Sequence, residues 1–124
     1  MLNINNTLAS GSPEFASHEI AALAKSEGCL AAWRALIGAG GKDSVKDVSG
    51  DFAVGFVDAT GRGFLAVDRF AIRSLCYRVV DGELRFGSRA DELADSTSEI
   101  DPQAIFDYLY FHVIPSPRTI FKDV

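Results

Sequence analysis

Gly50-Asp51-Phe52-Ala53-Val54-Gly55-Phe56-Val57-Asp58 is followed, after a turn, by Val67-Asp68-Arg69-Phe70-Ala71-Ile72-Arg73-Ser74-Leu75-Cys76-Tyr77. In the first run the apolar period is two. Phe52, Val54 and Phe56 share one face of a strand, while Ala53, Gly55 and Val57 share the other and are small enough to lie against a second layer. Both faces are therefore expected to be covered. Asp58-Ala59-Thr60-Gly61-Arg62-Gly63 carries turn chemistry, and Phe64 to Val67 reads as the return strand. Further on, Leu75 to Val80 and Glu83 to Phe86 flank Asp81-Gly82, a pair suited to a type I′ turn because both of its central residues need positive φ. The prediction is a four-strand antiparallel meander.

Upstream, Leu2 to Leu8 reads as a weak edge strand that Gly11-Ser12-Pro13 ends. Gly11-Ser12-Pro13-Glu14-Phe15 also has the form of a cloning junction, so a tag or linker is an alternative reading for part of residues 1–15. A helix is expected from Ser17 as N-cap to Gly28 at its C-terminal end, with Ile20, Leu23 and Ala24 on one face. A second helix runs from about Leu30 through Trp33, Leu36 and Ile37 until Gly38, Gly40 and Gly41 stop it, and Asp43 caps a short turn through Val45 and Val48. Downstream, Ala90 to Leu93 reads as a helical turn. Asp101-Pro102 supplies a capping carboxylate and an N1 proline for a helix whose face is Ile105, Tyr108, Leu109 and His112. Thr119 to Val124 reads as the start of a strand.

At 124 residues, with 48% hydrophobic and 23% charged residues, the composition is that of one globular domain spanning residues 1–124. Twelve Lys and Arg against seventeen Asp and Glu give a net charge of −5, and without a basic run the chain lacks the means to displace counterions from a nucleic acid. Two cysteines are too few for a secreted disulfide framework or a cysteine zinc site. No stretch approaches the ~20 apolar residues of a membrane span, and the N-terminus lacks the basic and apolar regions of a signal peptide. The expected setting is cytoplasmic, with neither membrane nor nucleic acid as partner.

The two quoted runs resemble the N-terminal glutaminase domain of class B, glutamine-dependent asparagine synthetases, where the text reads G-x-F-A-F-x-x-x-D and then R-D-R-F-G-I-K-P-L-Y-Y. The likeness continues through Leu84-Arg85-Phe86-Gly87-Ser88, Ile100-Asp101-Pro102, Tyr108-Leu109 and Pro115-Ser116-Pro117-Arg118-Thr119-Ile120-Phe121-Lys122, in the same order. The resemblance implies an α+β fold of the N-terminal-nucleophile (Ntn) hydrolase type, a sandwich of antiparallel sheets with flanking helices, here truncated on its N-terminal side. It implies glutamine-dependent amide transfer, in which a terminal cysteine attacks the glutamine amide with its own α-amine as base. The ammonia passes to an ATP-dependent synthetase domain, either in the parent chain or as a separate subunit.

Residue by residue, the resemblance carries over scaffold and leaves the chemistry behind. Position 2 is Leu, and the motif order places the start of the chain about 60 residues into the family's sequence, so no catalytic residue is assigned. Ser10-Gly11 stands where the family has the Asn-Gly pair that helps hold the oxyanion, which makes Ser10 and Gly11 the candidate substrate-binding residues. Gly28-Cys29-Leu30-Ala31 stands where the family has a Ser-Asp-x-Glu that binds the glutamine α-amine, and it holds no carboxylate. Ala71 replaces a glycine and Ser74 a proline. With no Ser-Gly-Gly-x-Asp-Ser loop, the chain alone is expected to perform no ATP-dependent amidation, and no cofactor is assigned.

Other reactive side chains have simpler readings. Cys29 begins a helix, where exposed amides lower a thiol pKa, yet no histidine lies at a motif spacing to activate it, and packing is the favoured role. Cys76, between Leu75 and Tyr77 in a strand, also reads as packing. His18 and His112 have no acidic partner at ligand spacing, so no metal is expected. Asp68, Arg69 and Arg73 read as an ion-paired loop rather than a substrate-facing set. The aromatic spacing at 105, 108, 109 and 112 reads as core or interface. Two functions compete: an amidotransferase domain lacking its catalytic residues, and a non-catalytic dimerisation or docking module on the same scaffold. If the first strands of the sandwich are missing, Phe52, Val54, Phe56 and Phe64 are left on an open face. A homodimer is then expected, through that sheet or through the helix Pro102 to His112.

Overall fold

In a computed structural model the described residues are 7–124. Leu2 to Asn6, most of the first expected strand, lies outside them. The chain divides into two compact units that meet in sequence at Leu75 and Cys76. It is a mixed α/β protein with antiparallel sheets, and the expected meander is split between a three-stranded sheet, order β1-β2-β3, and a separate two-stranded hairpin, β4-β5. The residues between Val67 and Cys76 form an irregular loop, and the third expected strand pairs with the fourth rather than with the second.

In the first unit β1 is Thr7–Phe15, β2 Val48–Val57 and β3 Gly63–Val67. Gly11-Ser12-Pro13 does not end β1, as the turn chemistry predicts; it pairs straight through, with Gly11 opposite Phe52 and Pro13 opposite Gly50. Two facts permit this. Pro13 lies on an edge strand, where a missing N–H costs least. Gly11 and Gly50 adopt φ of 88° and 85°, and a Cβ on either would collide with the facing backbone, Asp51 O and Ser12 O respectively.

Two helices cover one face of this sheet. Helix α1, His18–Glu27, starts where Ser17 Oγ accepts from Ile20 N at 3.4 Å and ends at Gly28, as the capping residues predict. Helix α2, Cys29–Gly40, runs through Gly38 and Gly40 and stops only at Gly41, whose φ is 70°. A 3-10 segment, Lys42–Asp47, follows; its N-cap is Gly41, and Asp43 sits inside it without capping. Trp33, 1% exposed, lies on Phe52 with ring centroids 4.9 Å apart and takes the edge of Phe15 at 5.2 Å. Phe52, Val54 and Phe56 are 3%, 0% and 5% exposed, and Phe64 packs against this cluster. The apolar face that was expected to be open is therefore closed by the unit's own helix. Ala53 and Gly55, on the other face of β2, are buried as well.

In the second unit β4, Cys76–Val80, and β5, Glu83–Gly87, are joined at Asp81 and Gly82 with φ of 51° and 80°, the expected turn. Helix α3 is Ala90–Leu93 and α4 is Pro102–Phe111, with Asp101 Oδ1 accepting from Gln103 N at 2.9 Å. The C-terminal segment forms a single bridge, Ile100 to Phe121, rather than a strand.

The glycine requirement in β2 is directly testable. Replacing Gly50 with alanine should lower unfolding free energy by more than ~1 kcal/mol, because a Cβ at positive φ is strained and here also meets backbone. Urea titration followed by the fluorescence of Trp33, the one tryptophan, should show an earlier midpoint; an unchanged midpoint would contradict the β1–β2 register.

Candidate functional site

The loop after β3 brings together the residues of the two quoted runs. Asp68, only 5% exposed, donates its own N–H to Phe52 O at 3.0 Å, and its carboxylate accepts from Phe52 N at 3.2 Å. The same carboxylate accepts from Phe70 N at 3.0 Å, Ile72 N at 3.1 Å and Arg73 N at 3.5 Å. Ala71 closes the loop by donating to Asp68 O at 3.0 Å, and does so at φ 49°. Burial pushes the Asp68 carboxyl up, but the amides of Ile72, Phe52, Phe70 and Arg73 together outweigh it, and the group sits below the usual aspartate range.

The expected ion pairing within this loop is not found among the described residues. Arg73 Nε reaches across to Asp51 Oδ2 on β2 at 2.6 Å, whereas Asp68 is held by amides without a cation. Arg69 forms no ion pair among the described residues and, with Lys46, lines a groove of about 320 Å³ that also includes Ser49, Gly50 and Phe70. On the neighbouring turn, the Thr60 hydroxyl first and the Arg62 amide next draw the Asp58 carboxyl down to about 2. These contacts position backbone; none sets a nucleophile against a base.

The candidate substrate-binding residues have a structural placement. Ser10 and Gly11 lie within β1, opposite Ala53 and Phe52. Cys29 is the first residue of α2 and packs against the Trp33 cluster. It also borders a groove of about 390 Å³ whose other walls are Pro13, Glu14, Phe15, Ala21, Ala24 and Lys25. That groove holds a carboxylate and an ammonium but no imidazole. Cys76 opens β4, and its thiol is pushed up by burial, then by the nearby Glu92 and Asp91 carboxylates, the reverse of what a thiolate nucleophile requires. His18 begins α1 and His112 caps α4. Among the described residues no three His, Cys, Asp or Glu side chains converge as metal ligands.

Two buried charged centres escape the sequence reading. Arg78, 7% exposed, donates to Leu93 O at 2.7 Å and pairs with Asp95 at 3.2 Å and Asp123 at 2.6 Å. Asp107, also 7% exposed, accepts from Gln103 Nε2 and from Arg118 Nη1, both at 2.9 Å. A signal existed for the second: Asp107 is the one charge in the run Pro102 to Val113, and a lone charge in an apolar helix needs a partner. For Arg78 the strand alternation points the other way, since Tyr77 and Val79 look like the inward pair.

Two substitutions test the loop. Ala71→Gly should stabilise the protein by about 1 kcal/mol by relieving a left-handed alanine, seen as a later urea midpoint. Asp68→Asn tests the anchor through pH. The folded-state pKa of Asp68 lies below the unfolded value, so its contribution is complete above the unfolded aspartate range near 4 and is lost as pH falls through the folded value. Melting temperatures of the parent and the variant should therefore differ most at pH 7 and converge in acid; a constant gap would refute the assignment.

The sequence pattern of the glutamine amidotransferase domain family matches residues 14–124. No curated protein and no solved structure matches the chain significantly.

Proposed function

We propose, from the premise that this chain belongs to the glutamine amidotransferase domain family, that it is scaffold for glutamine-dependent amide transfer in a system of the class B asparagine synthetase type. On this reading the 124 residues themselves carry no glutaminase nucleophile. The observation that carries it is the Asp68 anchor. Asp68, one of the residues by which the chain resembles that family, binds β2 to the following loop through four backbone amides at its carboxylate. Both cysteines support the same reading, Cys29 through its packing on the core and Cys76 through its raised pKa. Without a positioned nucleophile and base, no acyl-enzyme forms. Antiparallel sheets with accompanying helices are the ingredients of an Ntn-type sandwich, the fold we infer for the family's domain.

A docking or dimerisation module on this scaffold is the second reading, favoured by one observation: the aromatic side chains of α4 are exposed. In the amidotransferase reading the genomic reading frame runs on into a synthetase domain with a pyrophosphate loop. A stop codon after Val124 favours the module.

Incubating the purified chain with glutamine and measuring released ammonia tests the absence of a nucleophile. The expected result is no release above the buffer blank. Release that disappears in Cys29→Ser would overturn the proposal and make Cys29 a nucleophile.

A further inference from the structure

The Asp68 loop leaves one cation over. Of its three charged residues, Asp68 is met by four backbone amides and Arg73 by the Asp51 carboxylate. Arg69, next to Asp68 in sequence, forms no side-chain ion pair or hydrogen bond among the described residues and lines the groove of about 320 Å³ beside β2. The wall of that groove includes residues 48–50, which have β1 on one edge and, because β3 pairs only with residues 53–57, no strand on the other among the described residues. Lys46 lines it as well, and its ion pair with Asp43, 3.7 Å long between side chains 77% and 78% exposed, contributes little. Asp68 is the sole carboxylate in the lining, and its charge is already satisfied. Every lining residue belongs to the first unit, so the groove is complete within that unit.

We propose that this groove binds a small organic anion, one carboxylate or phosphate group carried on an apolar body. Arg69 and Lys46 take the charged group, and Phe52, Phe70 and Ile72 line the space for the body. The inference does not depend on the family reading; it rests on charge and on the make-up of the wall. A guanidinium offers paired N–H donors that match the oxygens of a carboxylate or phosphate, and an ammonium adds a point charge beside it. In a chain of net charge −5, two cations in one groove against a single carboxylate that backbone amides already neutralise form a local positive field, which repels cations and gathers anions. A neutral apolar molecule would leave both cations unmatched, whereas a bare inorganic ion would leave the apolar wall unused. The volume is that of a small-molecule site. The amide bonds at Asp68 also fix the backbone on which Arg69 stands, so less ordering is required when the anion arrives.

Titration of the isotope-labelled full chain with phenyl phosphate and, separately, with benzoate, followed by amide NMR shifts, tests the site. Saturable shifts at the amides of Gly50, Phe70 and Ile72 are expected with at least one of the two, and the tighter binder identifies the charged group. Arg69→Gln should weaken binding at least about fivefold through loss of a charge-assisted contact, and Lys46→Gln should weaken it in the same direction. Both side chains are exposed, so the urea midpoint read from Trp33 fluorescence should stay that of the parent in each variant. Lys25→Gln, a cation on α1 outside this groove, should leave binding unchanged. Benzyl alcohol, the body without the charge, and inorganic phosphate, the charge without the body, should each bind less tightly than the better anion. Raising salt to about 0.5 M should weaken binding. Absence of saturable shifts with both anions, binding indifferent to both glutamine variants, or benzyl alcohol or inorganic phosphate binding as tightly as the better anion would each overturn the proposal.

Discussion

One buried carboxylate without a cation organises the first unit. Asp68 sits at the point where β3 ends, and every oxygen contact it makes is to a backbone N–H: Phe52 on the central strand and Phe70, Ile72 and Arg73 on the loop that follows. An amide cluster of this kind accepts a negative charge because hydrogen bonds to the ionised form offset its desolvation. It gives the loop a shape that its side chains alone would not impose, including the positive φ at Ala71. Phe52, tied to Asp68 through its backbone, also puts its ring against Trp33. The anchor and the hydrophobic core therefore meet at one residue.

The second unit is built on the opposite principle. Its buried charges, Arg78 and Asp107, are each matched by charged partners from residues distant in the chain: Asp95 and Asp123 for Arg78, Arg118 for Asp107. Removing one member of such a pair leaves the other buried and uncompensated, so these contacts are costly to break even where their net contribution is small. They hold the C-terminal segment in place of a strand ladder, which there amounts to a single bridge. Tyr77 and Val79 on β4 and Phe106, Leu109 and Tyr110 on α4 are exposed.

For the chemistry of the family these features divide the labour. The matched residues 14–124 contain a loop anchor, a closed core and a charged girdle, all of which position backbone. The groups with intrinsic reactivity are placed otherwise: Cys29 against the core, Cys76 beside two carboxylates that oppose a thiolate. Ser10 and Gly11 lie in β1. Glycines at 11 and 50 are required because two backbones approach too closely for a Cβ, a sufficient reason for glycine at position 11 without any ligand.

Adjacent residues alone determined the elements whose physics is local. Ser17 and Asp101 cap helices because their side chains reach amides two or three residues on, and Asp81-Gly82 turns because those two residues tolerate positive φ. The period-two run from Phe52 to Phe56 is a strand for the same kind of reason. Tertiary structure decided what no neighbouring residue encodes. Gly11-Ser12-Pro13 continues a strand because Gly50 lies opposite it, and the meander breaks after Val67 because Asp68 finds the amides of a loop. Arg78 and Asp107 face inward because Asp95, Asp123 and Arg118 wait there. Hydropathy ranks side chains by their cost in isolation, whereas burial depends on partners brought together from far along the chain, and a charge with such partners can displace a tyrosine or a leucine from the interior.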